Sequence, residues 1–414
     1  MNNDSFVDCW GAFRRRIVSF QVQTDNQFFE SADSILNEAG RTARTKRLTL
    51  SPAGSEYEIE GSLRAICQTA DRLAEASGAR WICLPIDLSE PTESQIRVVE
   101  SVEVLKKFPR VFLNYLVGHG DRNNVQSALS VANAIINIAR LSNNGFDNFR
   151  VGCSFDSVQN GAFFPFSAHS SDELGFSLAL ETTDRVTKLL QRTRGNLTEQ
   201  LSVIREELID IVGSTEDIAK KIELETGIKY HGSDGSFAPF PTNGTSVAQL
   251  IHQLIGTSVG SRGTIMATAM LTNELRAAYQ ITQARSVGFN GVMYSVLEDD
   301  ELAQEISNRS LDLDSLISYA SVCGCGVDMV PLAGNSFPEE IASLILDLGA
   351  MSKGLSKPLG VRVLPIPGKV EQDFTEFNQD FLCNSRIVPL GTRSFHDFLD
   401  QAPYIFDFPL NGAK

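Results

Sequence analysis

Apolar runs and amphipathic stretches alternate through the first 155 residues, and few folds accept that order. Residues 16–22, 45–50, 81–88, 110–117 and 149–155 predict strands. Between them, 25–39, 59–76, 92–107 and 123–141 carry apolar side chains at helical spacing. In the first of these, Phe28, Phe29, Ala32, Ile35 and Leu36 share one face and Gly40 is the stop. The run WICLPIDL at 81–88 has the continuous apolar character of a strand covered on both faces. Strand and helix in this alternation predict a parallel sheet with crossover helices.

The middle of the chain breaks the rhythm. Residues 172–193 and 197–226 read as long helices, the second rich in Glu, Asp, Lys and Ile with a wide solvated face. Segment 227–243 reads as an ordered loop, because Tyr230, Phe237 and Phe240 need burial. Helices follow at 246–257 and 264–286. The alternation then returns: a strand at 291–297, helices at 301–309 and 311–319, and a strand around Val327, Met329, Val330 and Leu332. A helix at 337–355 with Pro338 in its first turn and a strand at 359–367 complete it. The expected organisation is one unit: a first βα half (1–160), a helical middle (170–286), a second βα half (287–370) and an irregular tail (371–414) rich in Phe and Asp. Such a count fits a single α/β barrel of roughly ten strands or a doubly wound sheet with a helical insertion. Neither G-x-G-x-x-G after the first strand nor G-x-x-x-x-G-K-[ST] occurs, which argues against a nucleotide fold.

Charge narrows the partners. At a net charge of −15 the chain repels nucleic acid and anionic lipid, so neither is an expected partner. The short basic clusters at 14–16 and 41–47 read as solvated strand ends rather than as an anion site. No run of apolar residues is long enough to span a bilayer, and Arg14–Arg16 interrupt any leader-like stretch. Seven scattered cysteines point to reduced thiols and a cytoplasmic setting, with Cys9, Cys67, Cys83 and Cys383 packing as small hydrophobes.

Several loops carry side chains with chemical potential. His119 is flanked by Gly118 and Gly120 after a strand, and suits a general base, a metal ligand or a loop histidine bonded to backbone. The loop from Asn160 to Ser170 holds Phe163, Phe164, Phe166 and His169, and reads either as a pocket wall or as an aromatic plug. Glu298, Asp299 and Asp300 follow a strand, where they hold a divalent cation or cap the next helix. Cys323 and Cys325 do not fit a zinc pattern; each is either a nucleophile lowered in pKa or a small apolar filler. Asp328 and Arg362 each interrupt an apolar strand, so they pair with one another or Arg362 holds a ligand carboxylate.

Five segments have a further character in common: 44–52 (RTKRLTLSP), Phe163-Phe164-Pro165, 291–300 (GVMYSVLEDD), 326–331 (GVDMVP) and 357–369 (KPLGVRVLPIPGK). In order and character they resemble the DUF711, or UPF0210, family over residues 44–370. That resemblance implies a fold similar to the ten-stranded α/β barrel of pyruvate formate-lyase and ribonucleotide reductase, with Cys323 and Cys325 on a loop in the barrel centre. A glycyl-radical signature would read Arg-Val-x-Gly; here Arg362-Val363-Leu364 is followed by Pro365, so polar acid/base or thiol chemistry is expected instead.

The function expected on these grounds is an enzyme, a lyase, isomerase or transferase, on a small carboxylate-bearing molecule. His119, His169, Glu298, Cys325 and Asp328 are the expected catalytic groups. Arg262, Phe164 and Arg362 are expected to bind the substrate, and Glu298 with Asp299 a divalent metal ion, if one is used. The rival is a ligand-sensing protein that keeps the barrel without turnover. Self-association through the long middle helices is a further expectation.

Overall fold

The computed structural model describes residues 7–12, 23–52, 62–88, 91–119, 122–155, 159–169, 174–242, 244–391 and 405–407. The first half contains β1 (Val7–Ala12), α1 (Gln23–Glu38), β2 (Lys46–Thr49), α2 (Leu63–Ser77), β3 (Trp81–Asp87), α3 (Pro91–Lys107), β4 (Val111–His119), β5 (Arg122–Asn124), α4 (Val125–Ala139) and β6 (Val151–Phe155). There follow β7 (Gly175–Leu180), α5 (Thr183–Arg192), α6 (Leu197–Thr226), β8 (Lys229–Asp234), α7 (Val247–Ile255) and α8 (Thr264–Thr282). The last part holds α9 (Asp300–Ser307), α10 (Leu313–Ala320), β9 (Gly326–Ala333), α11 (Pro338–Leu355), β10 (Leu359–Ile366) and β11 (Ile405–Asp407).

This is a mixed α/β fold around one mostly parallel sheet. The strand order is β8-β7-β1-β2-β3-β4-β6-β10-β9, with β5 and β11 paired beyond β4. Strands β1, β2, β3, β4 and β6 run parallel to one another. β7 and β8 are mutually parallel but antiparallel to β1, and β9 and β10 are mutually parallel but antiparallel to β6. Isolated parallel bridges also join Ser233 to Ser286, Phe237 to Val292 and Ser295 to Asp328. No helix of the described residues is long and apolar enough to cross a membrane.

The strands alternate more strictly than their apolar runs suggest. Leu48, Ile82, Leu84, Leu113, Tyr115, Val151 and Cys153 pack in the large core that also holds the helices. Their neighbours Thr49, Cys83, Phe112, Asn114, Gly152 and Ser154 point to the other face, as the period of two requires. That second face is covered by the loop 159–169. Phe166 lies on Gly152 and Gly360, where an added Cβ would stand 2.6 and 2.5 Å from its ring. Two glycines on neighbouring strands thus make the slot that receives one phenyl ring. The loop backbone answers the polar face: Asn114 Nδ2 donates to Ser167 O (3.4 Å), and the Cys83 thiol to Pro165 O (3.3 Å). The hydroxyls of Thr49 and Ser167 share a hydrogen bond of 2.8 Å.

Three sequence expectations need correction. The stretch 172–193 is not one helix: Gly175–Leu180 is a fully buried strand, and only Thr183–Arg192 is helical. Leu174, Phe176, Leu178 and Leu180 alternate with period two, a short strand signal inside a window that also satisfied helical spacing. Segment 227–243 is not all loop, since Lys229–Asp234 joins the sheet beside β7. Conversely, 291–297 is no regular strand; it makes single bridges at Val292 and Ser295 before a 3-10 turn at Val296–Glu298. The strand expected at 16–22 lies outside the described residues.

Candidate functional site

A cavity of about 220 Å³ opens where the loop 159–169 meets the start of β2, β3 and β4 and the middle of β9 and β10. Its polar wall begins with a defect in the sheet. Val361 pairs with Val327, but Val363 pairs with Val330, so Asp328 and Met329 together face Arg362. This is a β-bulge, and Met329 accommodates it with φ of 51°, a conformation rare for a side chain of its size. The extra residue lets two successive side chains point to one face: Met329 into the aromatic cluster of Phe112 and Phe164, and Asp328 into the cavity.

Arg362 and Asp328 form a bidentate pair, Nε to Oδ1 at 2.6 Å and Nη2 to Oδ2 at 2.8 Å. Nη2 also donates to Glu298 Oε2 at 3.2 Å, and Nη1 to the Phe149 carbonyl at 3.3 Å. The guanidinium is thus committed to protein groups, as the pairing alternative expected. Burial opposes its charge, but Asp328 and Glu298 outweigh burial and hold the proton more firmly than usual.

Glu298 has a different balance. The Ser295 hydroxyl donates to its Oε2 at 2.5 Å, and the carboxylate remains 23% exposed to the cavity. Burial pushes its pKa up, Arg362 pulls it down, and the charge on Asp328 pushes it up again; the net shift is upward. Cys325 stands beside the bulge at 1% exposure. Burial, then the charges of Asp328 and the neighbouring Cys323, push its thiol well above the ordinary range, so it is a protonated thiol and not a nucleophilic thiolate. The tight turn before it fits because Gly324 packs against Gly291 and Gly326 takes φ of 98° under the Gly360 backbone.

The facing wall is cationic and aromatic. Arg44 is ion-paired to Glu181 and lies over the Phe240 ring at 4.4 Å. Arg47 donates from Nε to Thr45 Oγ1 (3.0 Å) and lies over Trp81 at 4.9 Å. Arg80 lies over the same indole at 4.4 Å and makes no ion pair among the described residues. Asp380 and Phe381, from the tail, close the rim.

Of the residues singled out in the sequence, Glu298, Cys325, Asp328, Arg362 and Phe164 therefore meet at one cavity. Others do not. His169 is fully buried behind it, with Nδ1 3.0 Å from Asn160 Oδ1 and its ring 5.9 Å from that of His231. Arg262 sits exposed in the turn before α8. Asp299 caps two helices: Oδ2 accepts the amides of Val247 and Ala248, and Oδ1 that of Leu302. The two carboxylates suggested for a metal thus look to different partners, and no cluster of three metal-binding side chains occurs among the described residues. Of His119 only the backbone is described; it ends β4 opposite Arg122. The phenylalanine loop lies against the polar face of the sheet, and Cys325 reaches the same cavity from the turn before β9 and packs with Phe166.

The basic segment 41–47 is built into the structure rather than solvated. Arg41 and Arg47 are 7% and 8% exposed, not solvated strand ends. Arg41 reaches Thr215 Oγ1 at 2.6 Å and Ser214 Oγ at 2.5 Å, while Arg44 and Arg47 line the cavity. The signal available was Arg44 and Arg47 flanking a strand start; Arg80 and Trp81, at the next strand start, carried the same signal. Nothing in the tail composition singled out Asp380 and Phe381.

The model of the family described as Uncharacterised ACR (DUF711) matches residues 3–380. A UPF0210 protein of Acetivibrio thermocellus is 24% identical over 92% of this chain and 86% of its own length. One from Desulforudis audaxviator is 27% identical over 84% and 79%. One from Pyrobaculum arsenaticum is 32% identical over 38% of this chain, and the match spans only 35% of that relative's length. Among solved structures, the methanol:cobalamin methyltransferase complex of Methanosarcina barkeri overlaps with a TM-score of 0.22 and 10% identity, over 74% of this chain and 66% of that one.

Proposed function

This chain belongs to the DUF711 family, and we propose that it is an enzyme acting by polar chemistry on a small carboxylate-bearing molecule held in the cavity. The observation that carries the reading is Glu298: a carboxyl raised in pKa, held by Arg362 and Ser295, and exposed to a cavity whose facing wall is lined by arginines. Such a group keeps a proton at higher pH than an ordinary glutamate and is suited to give and take it next to a bound anion. Glu298 is the proton-transfer residue. Asp328 acts through Arg362 as a positioning residue, and Cys325 serves as a buried hydrogen-bond donor. The reaction class, lyase, isomerase or transferase, shares this requirement for a placed proton.

The site is part of a closed ten-stranded α/β barrel in the same proposal. Support comes from the three isolated bridges, which pair segment 286–295 with the β8 side at Ser233 and Phe237 and with β9 at Asp328. Support also comes from the two antiparallel seams, β1 with β7 and β6 with β10, which divide the strands into two parallel groups. A cytoplasmic setting fits as well, since Cys67, Cys83, Cys153, Cys323, Cys325 and Cys383 are free thiols. One observation favours the rival, a sensor without turnover: Phe163, Phe164 and Phe166 all line the cavity and narrow it.

The test is a turnover screen of small carboxylates by proton NMR, with wild type and Glu298→Gln side by side. Wild-type conversion that falls about 100-fold or more in the glutamine variant, with binding kept, supports the reading. Binding of a carboxylate with no conversion by either protein makes this a sensor.

A further inference from the structure

The cavity's size and walls say more about the ligand than its charge does. Its volume is about 220 Å³. An apolar protein cavity of ~150 Å³ takes up benzene, so this one holds a single six-membered ring with room for a carboxylate and a few more atoms. Trp81, Phe112, Phe149 and Phe164 form an interlocked wall, with Trp81–Phe112 centroids 5.1 Å apart, Phe112–Phe149 5.5 Å and Phe112–Phe164 5.4 Å. The rings meet at interplanar angles of 53°, 74° and 53°, the tilted and edge-on geometries that aromatic rings favour with one another and that a further ring can join. Met293 and Cys325, which pack with Phe166, add two polarisable sulfurs to the lining. Sulfur near a ring edge favours aromatic over saturated partners.

An anion receptor stands beside this wall at the rim. Arg80 has its guanidinium carbon 4.4 Å from the Trp81 ring centroid and 5.8 Å from that of Phe381, is exposed at the rim, and has no carboxylate partner among the described residues. Arg362 is taken by Asp328, and Arg44 by Glu181. A guanidinium held against an indole face and free of a carboxylate still has its N–H fork to offer to a bidentate carboxylate.

We infer that the ligand is a single-ring aromatic carboxylic acid, whose ring lies against Trp81, Phe112, Phe149 and Phe164 and whose carboxylate is taken by Arg80. This rests on the carboxylate reading proposed above and narrows it to a ring class.

Isothermal titration of the full chain with matched probes tests it: benzoate and phenylacetate, their cyclohexyl counterparts, and benzyl alcohol. The expected result is binding of an aromatic acid about tenfold tighter than its saturated counterpart, with benzyl alcohol weaker still. Arg80→Gln should weaken the acids at least tenfold and leave benzyl alcohol unchanged. Equal binding of saturated and aromatic acids overturns the ring assignment and leaves the carboxylate reading standing. Equal binding of benzyl alcohol and the acids overturns the carboxylate reading itself. No binding of either aromatic acid at millimolar concentration, or full retention in Arg80→Gln, overturns the inference.

Discussion

Replacing Arg362 by Met asks how far the polar wall depends on a single cation. Arg362 is 4% exposed and Asp328 8%, so the pair is shielded from water, and Glu298 is the second carboxylate on the same guanidinium. Methionine matches much of the length of the stem, but it leaves two carboxylates with no cation between them. Removing one member of a buried pair costs ~3–5 kcal/mol, because the other charge stays behind unpaired. At about 2.1 cal/mol/K per residue, the unfolding entropy of 414 residues is about 0.9 kcal/mol/K. The unfolding midpoint should then fall by about 3–6 °C in scanning calorimetry at neutral pH. The deficit has a sign with pH. In the variant Glu298 loses the cation that pulls its pKa down, so its folded value rises further; the penalty is complete above that raised value and is relieved as pH falls from it to the ordinary carboxylate range. Asp328→Leu combined with Arg362→Met should recover most of the loss, since an apolar pair of similar volume replaces a buried ion pair at little cost. A single variant within ~1 kcal/mol of wild type, or a deficit independent of pH, would refute the argument.

Glu298→Gln should be at least as stable as wild type at neutral pH. The raised carboxyl gives the wild type a relative advantage only at low pH, which is lost as pH rises from the ordinary carboxylate range to the raised value; thermal melts across a pH series read the crossing. Cys325 should resist iodoacetamide in the native protein at pH 8, because burial and Asp328 hold it as a thiol; rapid modification by peptide mass spectrometry contradicts that state. Gly360→Ala should cost ~1–3 kcal/mol by driving a methyl into the Phe166 ring, and Phe166→Leu in the same chain should restore part of it; an additive loss rules out the clash. Asp299→Ala should cost ~2 kcal/mol through two lost helix caps, with no change in the metal content of the purified protein. A fall in metal content would make Asp299 a ligand.

The parts of the fold that could be read in advance are those where one period dominates a long window. β3 and β4 announce themselves by runs of apolar residues, and the thirty residues of α6 match the helix expected at 197–226. β7 hides because six residues of period two are too few to outvote the helical spacing around them. The Asp328–Arg362 pair was legible for an energetic reason: each charge interrupts an apolar strand, and neither is tolerable alone. The bulge was not, since Met329 takes a positive φ with no glycine to mark it. Arg47 reads as solvated because its partner, the Trp81 indole, lies beside it only once β2 and β3 are paired. Asp299 illustrates the reverse case, where a plausible metal ligand is a cap for α7, a helix some fifty residues earlier in the chain.

The polar face of the sheet explains why the aromatic wall can be selective. Thr49, Asn114 and Ser154 would be costly against a purely apolar cover, so they demand partners. The loop 159–169 supplies them from its own hydroxyl and backbone: Ser167 O for Asn114, Ser167 Oγ for Thr49, and Pro165 O for the Cys83 thiol, while Ser154 Oγ donates to Asn114 Oδ1 at 2.9 Å. These bonds fix the loop backbone within the same few residues that carry Phe163, Phe164 and Phe166. The glycine slot then fixes Phe166, and Phe112, itself packed on Phe149, holds Phe164. A wall held this way has little freedom to adapt, so shape discrimination comes from rigidity and not from closure around the ligand. The same argument accounts for the cost accepted at Met329. Without the bulge, Asp328 and Met329 would point to opposite faces, and either the aromatic cluster would lose its methionine or Arg362 its carboxylate.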